Sequence, residues 1–181
     1  MKPITKLAAT ASAIALTCLA LYGWWFDYFS SIDFQDTVSD KALLIGNIQS
    51  YQPVSLFLTQ LRAQSLNFKL ESSTLTQDKS SRPPFDITTV TVGQFSHLGY
   101  AGELIVDFFN DRLAGLRFYP SNIIGYQQAL ARNGVDLSSQ GNYRSRNTRI
   151  WSGTDYTGKQ YIGWEDVRLA KEMEVWIKRY S

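Results

Sequence analysis

The longest apolar run of the sequence lies close to its beginning. Residues 7–26 contain no charged side chain, and a helix of twenty residues rises about 30 Å, the thickness of the hydrocarbon core of a bilayer. Aromatic side chains gather at the far end of the run, as they do where hydrocarbon meets headgroups; they are Tyr22, Trp24, Trp25, Phe26, Tyr28 and Phe29. The pattern predicts an uncleaved transmembrane signal-anchor over residues 7–26. A cleaved secretory signal, with a poor cleavage site at Cys18-Leu19-Ala20, and a buried helix are the alternatives.

The charges that flank this run predict its orientation. Lys2 and Lys6 precede it, whereas four aspartates and no base follow it before Lys41. Because cationic flanks stay on the cytoplasmic side during insertion, we expect a cytoplasmic tip at residues 1–6 and a single-pass membrane protein. The remainder of the chain would then be extracytoplasmic, which means periplasmic if the cell is bacterial and the anchor lies in its inner membrane.

Two later segments repeat apolar residues at helical steps of three and four. Pro53 suits the first turn of the earlier helix. Ser121 can cap the later one, which Asn133-Gly134 would end. The apolar positions are Val54, Phe57, Leu58 and Leu61 in the first segment, and Ile123, Ile124, Tyr126 and Leu130 in the second.

The last segment of the chain predicts an amphipathic helix. Its apolar stripe contains Leu169, Met173, Trp176, Ile177 and Tyr180, and we expect Lys171, Glu172, Lys178 and Arg179 largely off that stripe. A weaker pattern predicts a short helix over residues 42–48, capped within residues 37–40.

Period-two alternation and β-branched residues predict the strands. The clearest hairpin joins residues 104–109 and 113–119 through a turn at 110–112, and both of its faces are largely apolar. We therefore expect this hairpin to lie in the centre of a sheet, covered by helices. A second hairpin joins 149–153 and 160–164 through a turn at 155–158, and Ser72 to Pro84 is predicted to be a loop. Further strands are expected around Leu66, Phe68 and Leu70, and from Ile87 through Val90 and Val92.

These elements define an α+β protein with an N-terminal single transmembrane helix. We expect residues 27–52 to form an acidic neck and a short helix. Residues 53–181 should form one extracytoplasmic α+β domain with a mainly antiparallel sheet of about five or six strands, covered by helices and ending in the amphipathic helix.

Composition restricts the chemistry that this domain can perform. The chain has one histidine, His97, and one cysteine, Cys18, which lies within the apolar run. Disulfides, thiol nucleophiles and metal sites built on several imidazoles are therefore excluded from the exported part, and we expect no cofactor and no metal. The chain has 18 basic and 16 acidic side chains, and two of the basic ones, Lys2 and Lys6, precede the run. The exported part therefore has 16 bases and 16 acids. This balance argues against nucleic acid as a partner.

Asp107 is the acidic residue that most needs a partner, because it interrupts an apolar strand. Arg112 and Arg117 lie on the returning strand and are the candidates for a structural ion pair with it. Glu103 shares a face with Asp107 four residues away, too distant for the usual pair of glycosidase carboxylates. Glu165-Asp166 is expected to open the last helix.

Two features predict contacts with other molecules. Arginine and aromatic side chains alternate between residues 143 and 151, and arginine binds carboxylates and phosphates and stacks on rings. The candidate partner or anion contacts are Tyr143, Arg144, Arg146, Arg149 and Trp151. Within the predicted anchor, small residues four apart allow close packing against other membrane helices; they are Ala9, Ala13 and Thr17.

The leading hypothesis is a non-enzymatic accessory or assembly subunit that binds other membrane or envelope proteins. A binding module for anionic envelope polymers or lipid headgroups, using the arginine and aromatic segment, is the alternative. A carboxylate-dependent glycan hydrolase is the third hypothesis.

Overall fold

The computed structural model describes residues 38–74, 82–137 and 141–181, which lie in one compact unit. In chain order these residues form α1 (Val54–Ala63), β1 (Phe68–Thr74), β2 (Asp86–His97), β3 (Tyr100–Phe109), β4 (Arg112–Pro120), α2 (Ile123–Arg132), β5 (Asn142–Ser145), β6 (Thr148–Thr154), β7 (Gln160–Asp166) and α3 (Val167–Tyr180).

The predicted anchor at residues 7–26, including Ala9, Ala13 and Thr17, lies outside the described residues. So do the tip at residues 1–6 and most of the predicted neck. Within the described ranges, no helix has the length and apolar character needed to cross a membrane.

The predicted α+β class with a mainly antiparallel sheet is confirmed. All seven strands pair antiparallel in the order β1-β2-β3-β4-β7-β6-β5. The β3–β4 hairpin lies in the middle, as predicted, and turns through Asn110 and Asp111, which both adopt positive φ. Asn110 stabilises this turn because its side chain accepts a hydrogen bond from Asp86 N and donates one to the oxygen of Pro84.

The pleat of the sheet separates apolar from polar side chains. One transverse row of paired residues is apolar across all seven strands and faces α1, α2 and the segment before α1; we call this side the inner face. The row consists of Leu70, Val90, Val106, Leu116, Trp164, Ile150 and Tyr143. The next row, one residue along each strand, points to the opposite side, which we call the outer face.

The predicted short helix over residues 42–48 is wrong. These residues form a tight loop in which Leu44 N donates to the oxygen of Ile48 and Ser50 N donates to the oxygen of Ala42. Gly46 has a φ of +58°, which reverses the chain. Four apolar side chains of the loop are buried because it covers the inner face, so pattern alone could not distinguish it from a helix; they are Ala42, Leu44, Ile45 and Ile48. The domain therefore includes residues that the sequence analysis placed in the neck.

The predicted loop from Ser72 to Pro84 begins later than expected. Residues 72–74 belong to β1, where they pair with residues 86–88 of β2, and residues 75–81 lie outside the description. The structure also adds β5, a strand of four mostly polar residues for which no strand was predicted. In both places backbone pairing with a neighbouring strand outweighs a polar composition.

The C-terminal helix α3 covers only one end of the outer face. Asp166 caps it by accepting a hydrogen bond from Arg168 N. Trp176 donates to the oxygen of Pro83, and its ring lies 4.4 Å from that of Phe85. The predicted stripe needs one correction: Glu172 is buried, whereas Ile177 is 48% exposed. The coverage of the central hairpin is therefore complete on the inner face and partial on the outer face.

Candidate functional site

The outer face carries a row of polar side chains across the middle of the sheet. Antiparallel pairing brings one residue from each strand to the same level, although these residues are far apart in the sequence. From edge to edge the row reads Glu71, Thr89, Asp107, Gly115, Glu165, Arg149 and Arg144. Gly115 interrupts it, so the two central carboxylates stand on either side of a position without a side chain.

A groove of about 380 Å³ lies over this position, between α3 and the middle of the sheet. We call it the central groove. A bulge in the β3–β4 pairing beside Asp107 gives β4 one extra residue, Ala114, which lines the groove. Ala170 and Met173 of α3 line it from one side and Trp151 from the other. The groove therefore combines an apolar interior with charged groups at its edge.

Both carboxylates of the groove are bound by arginine. Arg117 Nη2 lies 3.0 Å from Asp107, whose second oxygen accepts a hydrogen bond from Thr89 Oγ1 at 2.9 Å. Arg149 Nη2 lies 2.7 Å from Glu165. The surroundings of Glu165 raise the pKa of its carboxyl group: burial is the main cause, and it outweighs the opposing effect of Arg149.

Of the two arginines proposed as partners of Asp107, the structure brings only Arg117 to it. Arg112 points to the side where α3 lies and forms a buried ion pair with Glu172 at 2.8 Å. Its guanidinium also lies 5.8 Å from the ring centre of Tyr51 and 5.3 Å from that of Phe109. Arg112 is therefore part of the packing between α3 and the sheet.

Trp151 lies flat on the outer face because its neighbour on β7 is a glycine. A Cβ atom placed on Gly163 would overlap the indole ring, so any larger residue there would lift the ring. The guanidinium of Arg149 stacks on this ring at 5.2 Å from its centre. Arg144 pairs with Arg149 across β5 and β6, and both line an open depression of about 440 Å³ together with Trp151. We call it the arginine depression.

The other two predicted contact residues lie elsewhere. Tyr143 is on the inner face, where it pairs with Ile150 and packs against the core. Arg146 lies in the turn between β5 and β6 with a φ of +48°. The five predicted contacts therefore separate into three that share the outer face, one in the core and one in a turn.

The remaining polar groups of interest have structural surroundings. His97 ends β2, and its Nδ1 is 2.7 Å from the hydroxyl group of the buried Tyr126. Burial lowers the pKa of the His97 ring and raises that of the Tyr126 hydroxyl. Glu103 pairs with Lys159 at 3.3 Å on the outer face. Among residues 38–74, 82–137 and 141–181, no cluster of His, Cys, Asp and Glu has the size and spacing to hold a metal ion.

The sequence indicated Asp107, Arg149 and Trp151 as residues of interest, but not their proximity to Glu165 at the groove. Their approach depends on the pairing of β4 with β7 across Gly115, and a single sequence does not reveal a non-local register. A glycine inside an apolar strand was the available signal, since such a glycine often marks a bulge or a close approach. No known protein-family model matches the chain, and no curated protein matches it either.

Proposed function

We propose that this protein is a non-enzymatic accessory or assembly subunit that binds other envelope proteins through the outer face of its sheet. One observation carries the proposal. The central groove is an open cleft with apolar walls. Two ion pairs, each between an acidic residue and an arginine, lie at its edge, so both positive and negative charges are present there. Such a surface matches a protein segment with apolar side chains and polar groups of both signs.

The side chains around the groove belong to the types that anchor protein interfaces. Aromatic residues, methionine and arginine are enriched there, and Trp151, Met173 and Arg149 surround the cleft. Trp151 is held in place by Gly163 and Arg149, so little conformational freedom is lost when a partner covers it. The ion pairs at the edge would set the orientation of the partner.

The anchor predicted from the sequence supports a location of the domain at a membrane. We propose a single-pass protein with its N-terminus in the cytoplasm and its domain outside, in the periplasm if the cell is bacterial. In this proposal residues 7–26 stay in the membrane after insertion, and Ala9, Ala13 and Thr17 pack against helices of the partner proteins.

The test is site-specific crosslinking of the full chain in its native membrane. A photo-reactive residue at Met173 should crosslink to a defined set of envelope proteins, and Trp151→Ala should lower that yield. Tyr156 is the matched control, because it is fully exposed in the turn between β6 and β7, outside the residues that line the groove. Recovery of the isolated chain alone, or equal crosslinking from positions 173 and 156, would count against the proposal.

The arginine depression supports a second candidate function, the binding of anionic envelope polymers or lipid headgroups. Arg144 and Arg149 lie on neighbouring strands beside the Trp151 ring, and two guanidinium groups can bind one phosphate or carboxylate group. Arg144→Ala with Arg149→Ala should abolish salt-sensitive binding to anionic polysaccharide or to vesicles with anionic lipid. Arg132→Ala, an exposed arginine at the end of α2, is the control. Unchanged binding in the double variant would eliminate this function.

A further inference from the structure

The strand β1 forms one edge of the sheet and has a neighbour on one side only. It pairs with β2 along seven residues, and no other strand of the described residues pairs with its free edge. An edge of this length presents a row of backbone N–H and C=O groups that can accept a further strand.

The middle of β1 combines one exposed apolar side chain with two charged ones. Leu70 stands on the inner face opposite Val90, yet it is 47% exposed while Val90 is wholly buried. Lys69 and Glu71 flank Leu70 on the outer face, where they form an ion pair with each other within β1, and their side chains are 75% and 63% exposed. The apolar inner layer therefore continues to the edge and ends there without cover.

The order of these three residues is self-complementary. If a second β1 pairs antiparallel with a two-fold axis at Leu70, the two Leu70 side chains meet on the inner face. Lys69 of each copy then stands opposite Glu71 of the other on the outer face. A two-fold axis at Lys69 or at Glu71 would place like charges opposite each other, so charge favours the register centred on Leu70 over its two neighbours.

We infer that β1 pairs with β1 of a second copy of this chain, in antiparallel register centred on Leu70, to join two seven-stranded sheets into one. The exposed surface of Leu70 is buried at the axis, and two symmetric Lys69–Glu71 pairs between the copies flank it in place of the pair within each strand. Lysine on an edge strand usually deters pairing with other chains. Here Glu71 of a second antiparallel β1 lies opposite Lys69, so the lysine does not oppose pairing with this particular strand.

Charge reversal on the full chain in detergent tests the register. Lys69→Glu places Glu opposite Glu twice and should weaken dimerisation by about tenfold, since two attractive cross-strand pairs become repulsive. The double variant K69E/E71K restores both pairs in reversed order and should recover the wild-type dimerisation constant, measured by sedimentation equilibrium. A monomeric wild-type chain would overturn the inference. A dimerisation constant that is unchanged by Lys69→Glu would also overturn it, because the contacts of the dimer would then lie elsewhere, for instance in the anchor.

Disulfide trapping tests the axis directly, in a Cys18→Ser background that removes the one natural thiol. At the axis, Leu70→Cys would meet its own copy with Cα atoms about 5 Å apart, which suits a disulfide. Ser73→Cys is the matched control, because the same pairing separates the two copies of residue 73 by about 20 Å along the strands. Oxidation should crosslink Leu70→Cys and leave Ser73→Cys uncrosslinked. Equal crosslinking of the two variants would refute the register, whereas loss of the groove's partners would leave this result unchanged.

Discussion

The buried ion pair between Arg112 and Glu172 gives the sharpest stability prediction. Their side chains are 5% and 8% exposed, and the pair joins the start of β4 to the middle of α3. Glu172→Gln removes one charge of this buried pair, so the guanidinium of Arg112 loses its ion pair with that carboxylate. Breaking one partner of a buried pair costs about 3–5 kcal/mol, and in a domain of this size that lowers the melting temperature by about 10 °C.

The assay is thermal unfolding of the full chain, followed by near-ultraviolet circular dichroism. Glu174→Gln is the matched control on the same helix: Glu174 is exposed and bridges Lys171 and Lys178, and exposed ion pairs contribute little. Replacing the buried pair as a unit, with Arg112→Met and Glu172→Leu, should recover most of the lost stability, because apolar residues of similar volume need no counter-charge. A Glu172→Gln protein that melts with the wild type would refute this reasoning.

Three further predictions concern the cap of α2, the packing of Trp151 against Gly163, and the pH dependence of stability. Asn122→Ala removes the cap of α2, where the side chain accepts a hydrogen bond from a backbone N–H of the first turn, and should lower the free energy of unfolding by about 1 kcal/mol in urea titrations. Gly163→Ala should displace the ring of Trp151 and cost about 1–3 kcal/mol through overpacking; Gly163→Ala in a Trp151→Ala background should cost much less. Burial alone would raise the pKa of Asp166, but hydrogen bonds, chiefly from Arg168, hold it below the usual value. The stability that Asp166 contributes should be complete above the usual aspartate pKa and lost as pH falls through the lower pKa of the folded state. Asp166→Asn should remove that acid-dependent part from a pH series of urea titrations, and an unchanged acid dependence would contradict the assignment.

The elements that follow local rules were predictable from the sequence. The central hairpin has strands rich in apolar and aromatic residues on either side of Asn110-Asp111, and these two residues tolerate the positive φ of its turn. The three helices within the described residues carry apolar residues at steps of three and four, and each lies within a few residues of the segment predicted for it.

The incorrect predictions concern residues whose structure depends on contacts with distant parts of the chain. Glu172 is polar and was expected off the apolar stripe of α3, but its partner Arg112 lies sixty residues earlier and brings it into the interior. The loop at residues 42–48 is apolar because it covers the inner face. The spacing of its apolar residues does not distinguish such a covering loop from a helix. Glu165 was expected at the start of α3, whereas pairing of β7 with β4 and β6 places it in the central groove.

The loop before α1 also determines when the fold can be completed. Ser50 Oγ donates to Asp166 at 2.7 Å, Arg168 donates to the oxygen of Asp40 at 2.7 Å, and Thr148 donates to the oxygen of Leu43 at 2.9 Å. These contacts join residues 105 to 128 positions apart, so the loop-closure entropy they require must be overcome late. During synthesis, Asp40, Leu43 and Ser50 cannot form these three hydrogen bonds until almost the whole chain has been made. We therefore expect the first described segment to attach to the last strand and helix late in folding, and a chain cut short before Asp166 lacks the residue to which Ser50 donates.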